Sequence, residues 1–573
     1  MPWTQVYNPL HNMVLSVLAA AIPLVVVAYM LGVKKIPSHK STGAGVIAVL
    51  IVAFTVFHMP GMLLFHSAAS GVVVGLTFAD VIIGAITFYI TINKTGHFAV
   101  IRKSILMVTP DPRVQVLLIA FCFGAFLEAI AGGGTPVVIT VAMLVGIGFL
   151  PFHAAKICLL ANSTPVGFGA IGLPAIVLAM VTKLPLMDIS RMTAKQIPVI
   201  SLIIPTLLVG ILFGWKGIKG VWPAIAVTTI VFSGAQFLVA MYLGPLLPDV
   251  IASIAALVAL VVLQRFWKPK EIWKFEPKPE SLGAMAARSP AASSSQAAQA
   301  HGAHMPPADL GGDDKIPTRK EILAAWFPML VLVIVVGLWG YPSTSEFLRS
   351  TDIAFRWPGL HNLVVAVPPI EPKATAISGM TRITWLSNCG SGLIIASFLV
   401  VVLTKGISHV GIAWQAIIQS CRQLKYAIAT DIFATSLAWV MNYAGLTATL
   451  ALAFAATGVA LPFFSAYLGW MGVFITGSDS KANALFGNLQ ALTARQAGLP
   501  AILTACTNST GGAIGKMVSP LELAVATSAG GLAGKEGDLF RAVLGYSLAL
   551  TAVAGTLAML QAYVFPFVIP VVK

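Results

Sequence analysis

Met13 to Val33 is a run of 21 residues without a single charged side chain. A stretch of that length and character can cross the ~30 Å hydrocarbon core of a bilayer as a helix. No small-residue cleavage site precedes the next polar segment, so the run reads as a first span rather than a removable signal. Comparable apolar stretches recur along the rest of the chain, at about 43–59, 69–92, 114–130, 154–181, 197–214, 221–241, 248–266, 322–341, 424–441 and 541–571 among others. Of the 573 residues 58% are hydrophobic and 10% charged, where soluble domains carry ~25% charged residues. A soluble chain of this make-up would expose aggregating patches. The balance therefore excludes a soluble enzyme, a nucleic-acid reader, a fibrous protein and a disordered chain. The expected fold class is an all-α polytopic membrane protein with on the order of 12 to 14 transmembrane helices.

The spans are not all simple. Segments 137–150 and 464–515 are short and interrupted by glycine, the pattern of re-entrant hairpins around a transporter binding site. Lys34, Lys35 and Lys40 follow the first span, and Lys94, Arg102, Lys103 and Arg113 follow two spans later. The positive-inside bias then places the N-terminus outside the cytoplasm. The net charge of +15 reflects such loops and is not a nucleic-acid footprint. One long polar stretch, 267–320, opens with Lys268, Lys270, Lys274 and Lys278 and continues into the Ala/Ser/Gln/His-rich run Ala291–His304. It reads as a disordered cytoplasmic linker between an N-terminal membrane half, 1–266, and a C-terminal half, 321–573. The five cysteines are scattered, without CxxC spacing, and read as small hydrophobes.

The halves share a motif. Asn162-Ser163-Thr164, Gly169 and Pro174 match Asn508-Ser509-Thr510, Gly515 and Pro520 at one offset of 346 residues. Each copy lies ~30 residues beyond a glycine-bearing tip, Gly132-Gly133-Gly134 or Gly477-Ser478-Asp479. Internal duplication of this kind builds many secondary transporters, and fold-level analogy favours inverted copies. Two other pattern matches mislead. Both Asn-Ser-Thr triplets fit a glycosylation acceptor but sit in apolar runs, and Gly511–Lys516 has the wrong spacing for a phosphate loop, with Met517 where magnesium needs Ser or Thr. The histidines show no i,i+4 metal-ligand spacing, and no Ser/His/Asp set supports a membrane enzyme.

Carboxylates inside apolar runs are expensive and so are functional candidates. Glu128 has almost wholly apolar neighbours, a setting in which a carboxylic acid can hold and release a proton. Asp479, at the second tip, could join it in proton coupling or cap the helix that follows. Asp80 and Asp431 read as structural hydrogen-bonding groups. The tips themselves suit a small anion, because the N-terminus of a broken helix presents unpaired NH groups and positive dipole. The candidate substrate-binding set is Gly133, Thr135, Asn162, Ser163 and Thr164 in the first half and Ser478, Ser480, Asn508, Ser509 and Thr510 in the second. The alternative is that these small residues merely permit close helix packing. Of the basic residues, Lys516 is the leading candidate to neutralise a substrate carboxylate, followed by Lys156; most of the others read as snorkelling, and Arg541 reads as part of a loop with a charge network.

The strings Phe121-Cys-Phe-Gly-Ala-Phe-Leu-Glu128, Leu468-Gly-Trp-Met-Gly-Val-Phe-Ile-Thr-Gly-Ser-Asp479, Asn483-Ala-Leu-Phe486, Gly515-Lys516-Met517-Val-Ser-Pro520 and Gly534-Lys-Glu-Gly-Asp-Leu-Phe-Arg541 resemble the L-lactate permease family, which includes glycolate permeases. The resemblance runs from Tyr7-Asn8-Pro9 to Leu560-Gln-Ala-Tyr563 and is weakest over 267–390. It departs from the family at the first tip, where Ala131-Gly-Gly-Gly-Thr135-Pro136 replaces Ala-Gly-Phe-Gly-Ala-Pro, and at Lys156, Lys481 and Asp431. The resemblance implies a multi-pass plasma-membrane symporter importing L-lactate and related 2-hydroxy-monocarboxylates such as D-lactate and glycolate. It implies no cofactor, H+ as the coupling ion with Na+ as the alternative, a small organic acid anion and membrane lipid as partners, no nucleic acid, and a homodimer as one oligomeric option. A channel for small organic anions is the alternative from another class.

Overall fold

The computed structural model describes residues 2–130, 132–273, 317–371 and 373–571. The expected linker, 267–320, therefore lies mostly outside the described residues. Among the described residues ten helices are long and apolar enough to cross a bilayer, or eleven if Ile407–Tyr443 and Leu446–Phe454, bent by 74°, form one broken span. This count is below the expected 12 to 14 for two reasons. Thr135–Gly146 and Pro151–Ala161 are too short to span, and the run Ile197–Tyr242 counts once although it folds back on itself. Its backbone leaves helical geometry at Gly214 (φ 64°, ψ −168°) and Val221. Ser201 Oγ donates to Gln236 Oε1 at 2.8 Å across 35 positions, which a straight helix would hold ~50 Å apart. Large apolar side chains on outer faces, such as Val14, Leu18 and Val25, are exposed, as a lipid-facing surface requires.

The longest helices, Gly61–Lys94 and Gly411–Tyr443, form the central pair. Gly71 lies against Ser436, Gly75 against Ile432, and Thr87 Oγ1 donates to Ser420 Oγ at 3.0 Å. One number rises as the other falls, so the two run antiparallel. Small residues let the backbones approach, which is how helices associate without a hydrophobic drive between them. A Cβ at Gly71 would stand 2.5 Å from Ser436 Cα. Gly71→Leu is accordingly expected to lower stability by about 1–3 kcal/mol, read as a drop in detergent melting temperature. Gly234→Leu, where nothing lies within 4 Å, should leave it nearly unchanged.

Around this pair lie two series of elements, one on each side of the linker positions in the chain. Gly61–Lys94, Pro112–Ile130, Thr135–Gly146, Pro151–Ala161 and Gly169–Thr182 precede the linker. Gly411–Tyr443, Leu461–Thr476, Asp479–Gln496, Ala501–Gly515 and Pro520–Ala529 follow it. The ends at 130 and 476 keep the motif offset of 346.

The membrane faces are distinguishable. On one face Trp3–Thr4 pairs with Val364–Ala366, which pairs with Thr375–Ala376, and Ile353–Arg356 pairs with Met380–Ile383. This small β cap was not expected from the sequence. On the other face the Lys35 ammonium meets Asp538 at 2.6 Å, Arg541 donates to the Gly32 carbonyl, and Lys94 donates to Gln415 at 3.2 Å. Lys35 and Lys94, two of the basic residues that the positive-inside bias assigns to the cytoplasm, thus lie opposite the cap.

Candidate functional site

Both tips end in one cavity of about 260 Å³. Its wall includes Gly132 and Gly133 of the first tip, Gly477 to Lys481 of the second, Glu128, Asp431 and Lys516. Ser345, Arg349 and Ser387, from the stretch that carries the cap, also line it, so the cavity faces the cap side.

The first tip needs three consecutive left-handed residues, Gly132 (φ 62°), Gly133 (φ 57°) and Gly134 (φ 83°), a run only glycine adopts without strain. It brings Glu128, at the end of Pro112–Ile130, against the chain break at Gly169, where a Cβ would lie 3.0 Å from Glu128 Oε1. The break continues through Ala170 (φ 45°) and Ile171 (φ 53°), both lining the cavity. Left-handed geometry at a non-glycine residue costs ~1–3 kcal/mol and concentrates at functional sites.

The second half breaks differently. Ala501–Gly515 tightens into a 3-10 turn at Lys516–Val518, and Ser519 Oγ, accepting from Glu522 N at 3.2 Å, starts the next helix with Pro520 at its first turn. The break holds the Lys516 side chain inside the protein. Its Nζ donates to Glu128 Oε1 at 2.7 Å and stands 3.6 Å from Glu522 Oε1. The three are 4%, 2% and 1% exposed, so one cation sits between two carboxylates out of water. Among the described residues Glu128 Oε2 has no hydrogen-bond partner. Such a cluster is strongly held but electrostatically incomplete. Lys516 therefore faces protein carboxylates in this state, where the sequence suggested a substrate carboxylate.

Asp479 does not cap its helix. Its Oδ2 accepts from Ser509 Oγ at 2.6 Å, and Oδ1 has no partner. Gly512 makes room for it, since a Cβ there would lie 2.2 Å from Oδ1. The second Asn-Ser-Thr triplet is used in tying neighbouring elements together. Asn508 donates to Asn483 at 2.8 Å and accepts from Gln490 at 2.8 Å, while Thr510 donates to Gln196 at 2.9 Å. In the first half Ser163 Oγ donates to Leu160 O at 2.7 Å. Both polar side-chain atoms of Asn162, with Thr164 Oγ1 and Thr135 Oγ1, are buried and without a partner among the described residues.

Of the residues singled out in the sequence, Glu128, Gly133, Ser478, Asp479, Ser480 and Lys516 reach the cavity wall. Thr135 and both Asn-Ser-Thr triplets are buried behind it. Lys156 is not part of the wall; its ammonium lies 5.0 Å from the Tyr546 ring, a cation–π contact that uses its charge locally. Asp80 accepts from Asn388 Nδ2 at 2.8 Å, in keeping with a structural role. Asp431, also read as structural, lines the cavity instead. The reading of the sequence missed Glu522, although a carboxylate in Pro520-Leu-Glu-Leu-Ala meets the same criterion that identified Glu128.

The chain is similar to known proteins along nearly its whole length. A family model described as L-lactate permease matches residues 16–565. The L-lactate permease of Escherichia coli K12 is 38% identical over 580 residues, covering 99% of this chain and 100% of its own. That of Bacillus subtilis is 38% identical over 596 residues, covering 100% of both. The glycolate permease GlcA of Escherichia coli K12 is 38% identical over 575 residues and 98% of each chain. Among solved structures, Neisseria gonorrhoeae MtrF aligns over 93% of this chain and 97% of its own at 13% identity, with a TM-score of 0.37, below the level at which a shared fold follows. The chain is a multi-pass plasma-membrane transport protein and not an enzyme. With nearly its whole length matched by the family model and by curated permeases, it belongs to the L-lactate permease family.

Proposed function

We propose that the chain is a secondary active symporter that takes up L-lactate and related 2-hydroxy-monocarboxylates, such as D-lactate and glycolate, together with a proton. The observation that carries this reading is Lys516 held between Glu128 and Glu522 in the wall of a cavity where two broken-helix tips meet. With both carboxylates ionised, the cluster has a net charge of −1. A second anion entering such a site alone would be opposed by that charge in a low-dielectric interior. If Glu128 takes a proton, Lys516 is released to face the substrate carboxylate, and the net charge is again −1. Anion and proton then load together, and their sum is neutral, which lowers the cost of moving either through the membrane. Backbone NH groups at the start of Asp479–Gln496 add positive dipole to the cavity wall. The cavity's opening toward the cap, the face assigned to the outside, suits loading for uptake.

The matching order of elements, and the antiparallel run of Gly61–Lys94 and Gly411–Tyr443, support a reading of two inverted halves, each entering the membrane with a re-entrant hairpin. Sodium coupling is the second reading. It is favoured by the unpartnered oxygens of Asn162 and Thr164 at the first break, since buried carbonyl and hydroxyl oxygens are the donors a hard cation takes. Uptake of labelled L-lactate and glycolate into proteoliposomes, under separate proton and sodium gradients, tests both. The expected result is saturable accumulation driven by an inside-alkaline pH gradient without sodium. Accumulation driven only by sodium would replace the proton reading, and unsaturable flux without accumulation would make the chain a channel.

A further inference from the structure

On the face opposite the cap lies a second cavity, of about 510 Å³, away from the tips. It is walled by the turn between the two arms of Ile197–Tyr242 and by the chain that leaves Pro248–Phe266. Lys216, Lys219 and Lys270 line it with the guanidinium of Arg113, and Glu271 is the acidic residue of the same wall. Arg113 is only 1% exposed. Its Nε and Nη2 donate to Asp111 at 2.9 and 2.6 Å, and Nη2 also donates to the Glu271 carbonyl at 2.6 Å. The Trp273 ring covers it at 4.6 Å. Gly220 allows this placement, because a Cβ there would stand 2.3 Å from Arg113 Nη1. The Asp111 charge is thus spent on Arg113, and among the described residues the wall carries three lysines and one glutamate.

Tryptophan is concentrated at the same spot. Trp222, Trp267 and Trp273 line the cavity, and Trp215, with Lys219 Nζ 5.7 Å from its ring, stands beside it. Trp215 and Trp222 are 67% and 62% exposed. In a soluble protein such exposure would be a liability, but at a bilayer surface it is where indole rings settle, at the headgroup level. Scattered cytoplasmic lysines would need no cavity, no buried arginine and no ring of indoles. Basic pockets between spans on the cytoplasmic side suit anionic lipid headgroups.

We propose that this cavity binds the phosphodiester headgroup of an anionic phospholipid of the inner leaflet, with Lys216, Lys219 and Lys270 facing the phosphate and the exposed indoles flanking the acyl chains. Its role is independent of the transport site. The test takes the full chain from bilayers of equal phosphatidylglycerol and phosphatidylethanolamine and counts retained lipid by native mass spectrometry. The unchanged chain is expected to retain phosphatidylglycerol preferentially. The K216A/K219A/K270A variant is expected to lose that preference at least about tenfold, the worth of roughly 1.4 kcal/mol, while K216R/K219R/K270R keeps it. If the triple alanine variant does not fold, K219Q alone, on an exposed side chain, should show a smaller loss in the same direction. Inorganic phosphate added at millimolar concentration should neither displace the lipid nor raise the melting temperature. Equal retention of the two lipids by the unchanged chain, undiminished retention by the variants, or phosphate substituting for the lipid would overturn the proposal.

Discussion

Lys516→Met should remove nearly all uptake and also weaken the fold, the two effects having one electrostatic origin. The substitution keeps an unbranched side chain in the break but withdraws the cation that stands 2.7 Å from Glu128 Oε1. Glu128 and Glu522 would then share a buried site without compensation. Removing one partner of a buried ion pair costs about 3–5 kcal/mol, which would show as a large fall in the detergent melting temperature. Uptake of labelled lactate should drop by at least about 100-fold, since a charge-assisted contact worth about 3 kcal/mol corresponds to roughly that factor. A second variant separates folding from transport. Lys516→Met combined with Glu128→Gln and Glu522→Gln removes the repulsion, so the melting temperature should recover while uptake does not. Recovery of uptake in the triple variant would mean that Lys516 only balances protein charge and has no part in binding the substrate.

How far the site was legible in the sequence follows from what each residue's neighbours are. The spans were readable because a run such as Met13–Val33 has no other stable home. The tips were readable because three successive glycines, or Gly-Ser-Asp, cannot continue a helix. Glu128 and Lys516 were readable separately, each by its cost in an apolar run, but their 2.7 Å contact joins positions 388 apart, and no local pattern announces it. The two Asn-Ser-Thr triplets look equivalent in sequence yet differ in the fold. The second is satisfied by Asn483, Gln490 and Gln196, three amides with no sequence signal of their own. Near the first, Asn162 and Thr164 keep unpartnered atoms. Lys156 was the residue whose place in the fold was hardest to read. From sequence a lysine inside Pro151–Ala161 must find an anion or an interface, and the alternative it takes, the face of Tyr546, lies far along the chain. The fold-back at Gly214 was visible as two segments, whereas the β cap rests on two- to four-residue strands too short to carry a period.

Glu128→Gln tests the other half of the coupling. Gln fills nearly the same volume and can still accept from Lys516 through its carbonyl oxygen, so folding should change little. What it loses is the ability to alternate between charged and neutral forms. A symporter that must bind a proton to release Lys516 would then be locked in the loaded-like state of the cluster, with the cation permanently available to a substrate carboxylate. Exchange of labelled for unlabelled lactate, which needs no net proton movement, should persist within a few-fold. Net accumulation against a gradient under an inside-alkaline pH should fall by at least about 100-fold, the equivalent of the ~3 kcal/mol of a single charged contact. Glu522→Gln is the informative comparison, because Glu522 lies 3.6 Å from the same ammonium. It should weaken binding or stability while leaving accumulation pH-driven. If the two variants exchange phenotypes, Glu522 is the proton carrier, and Glu128 serves to hold Lys516 in place. If both still accumulate lactate, the proton travels elsewhere, and Asp479, with its unpartnered Oδ1 in the same wall, becomes the next residue to replace.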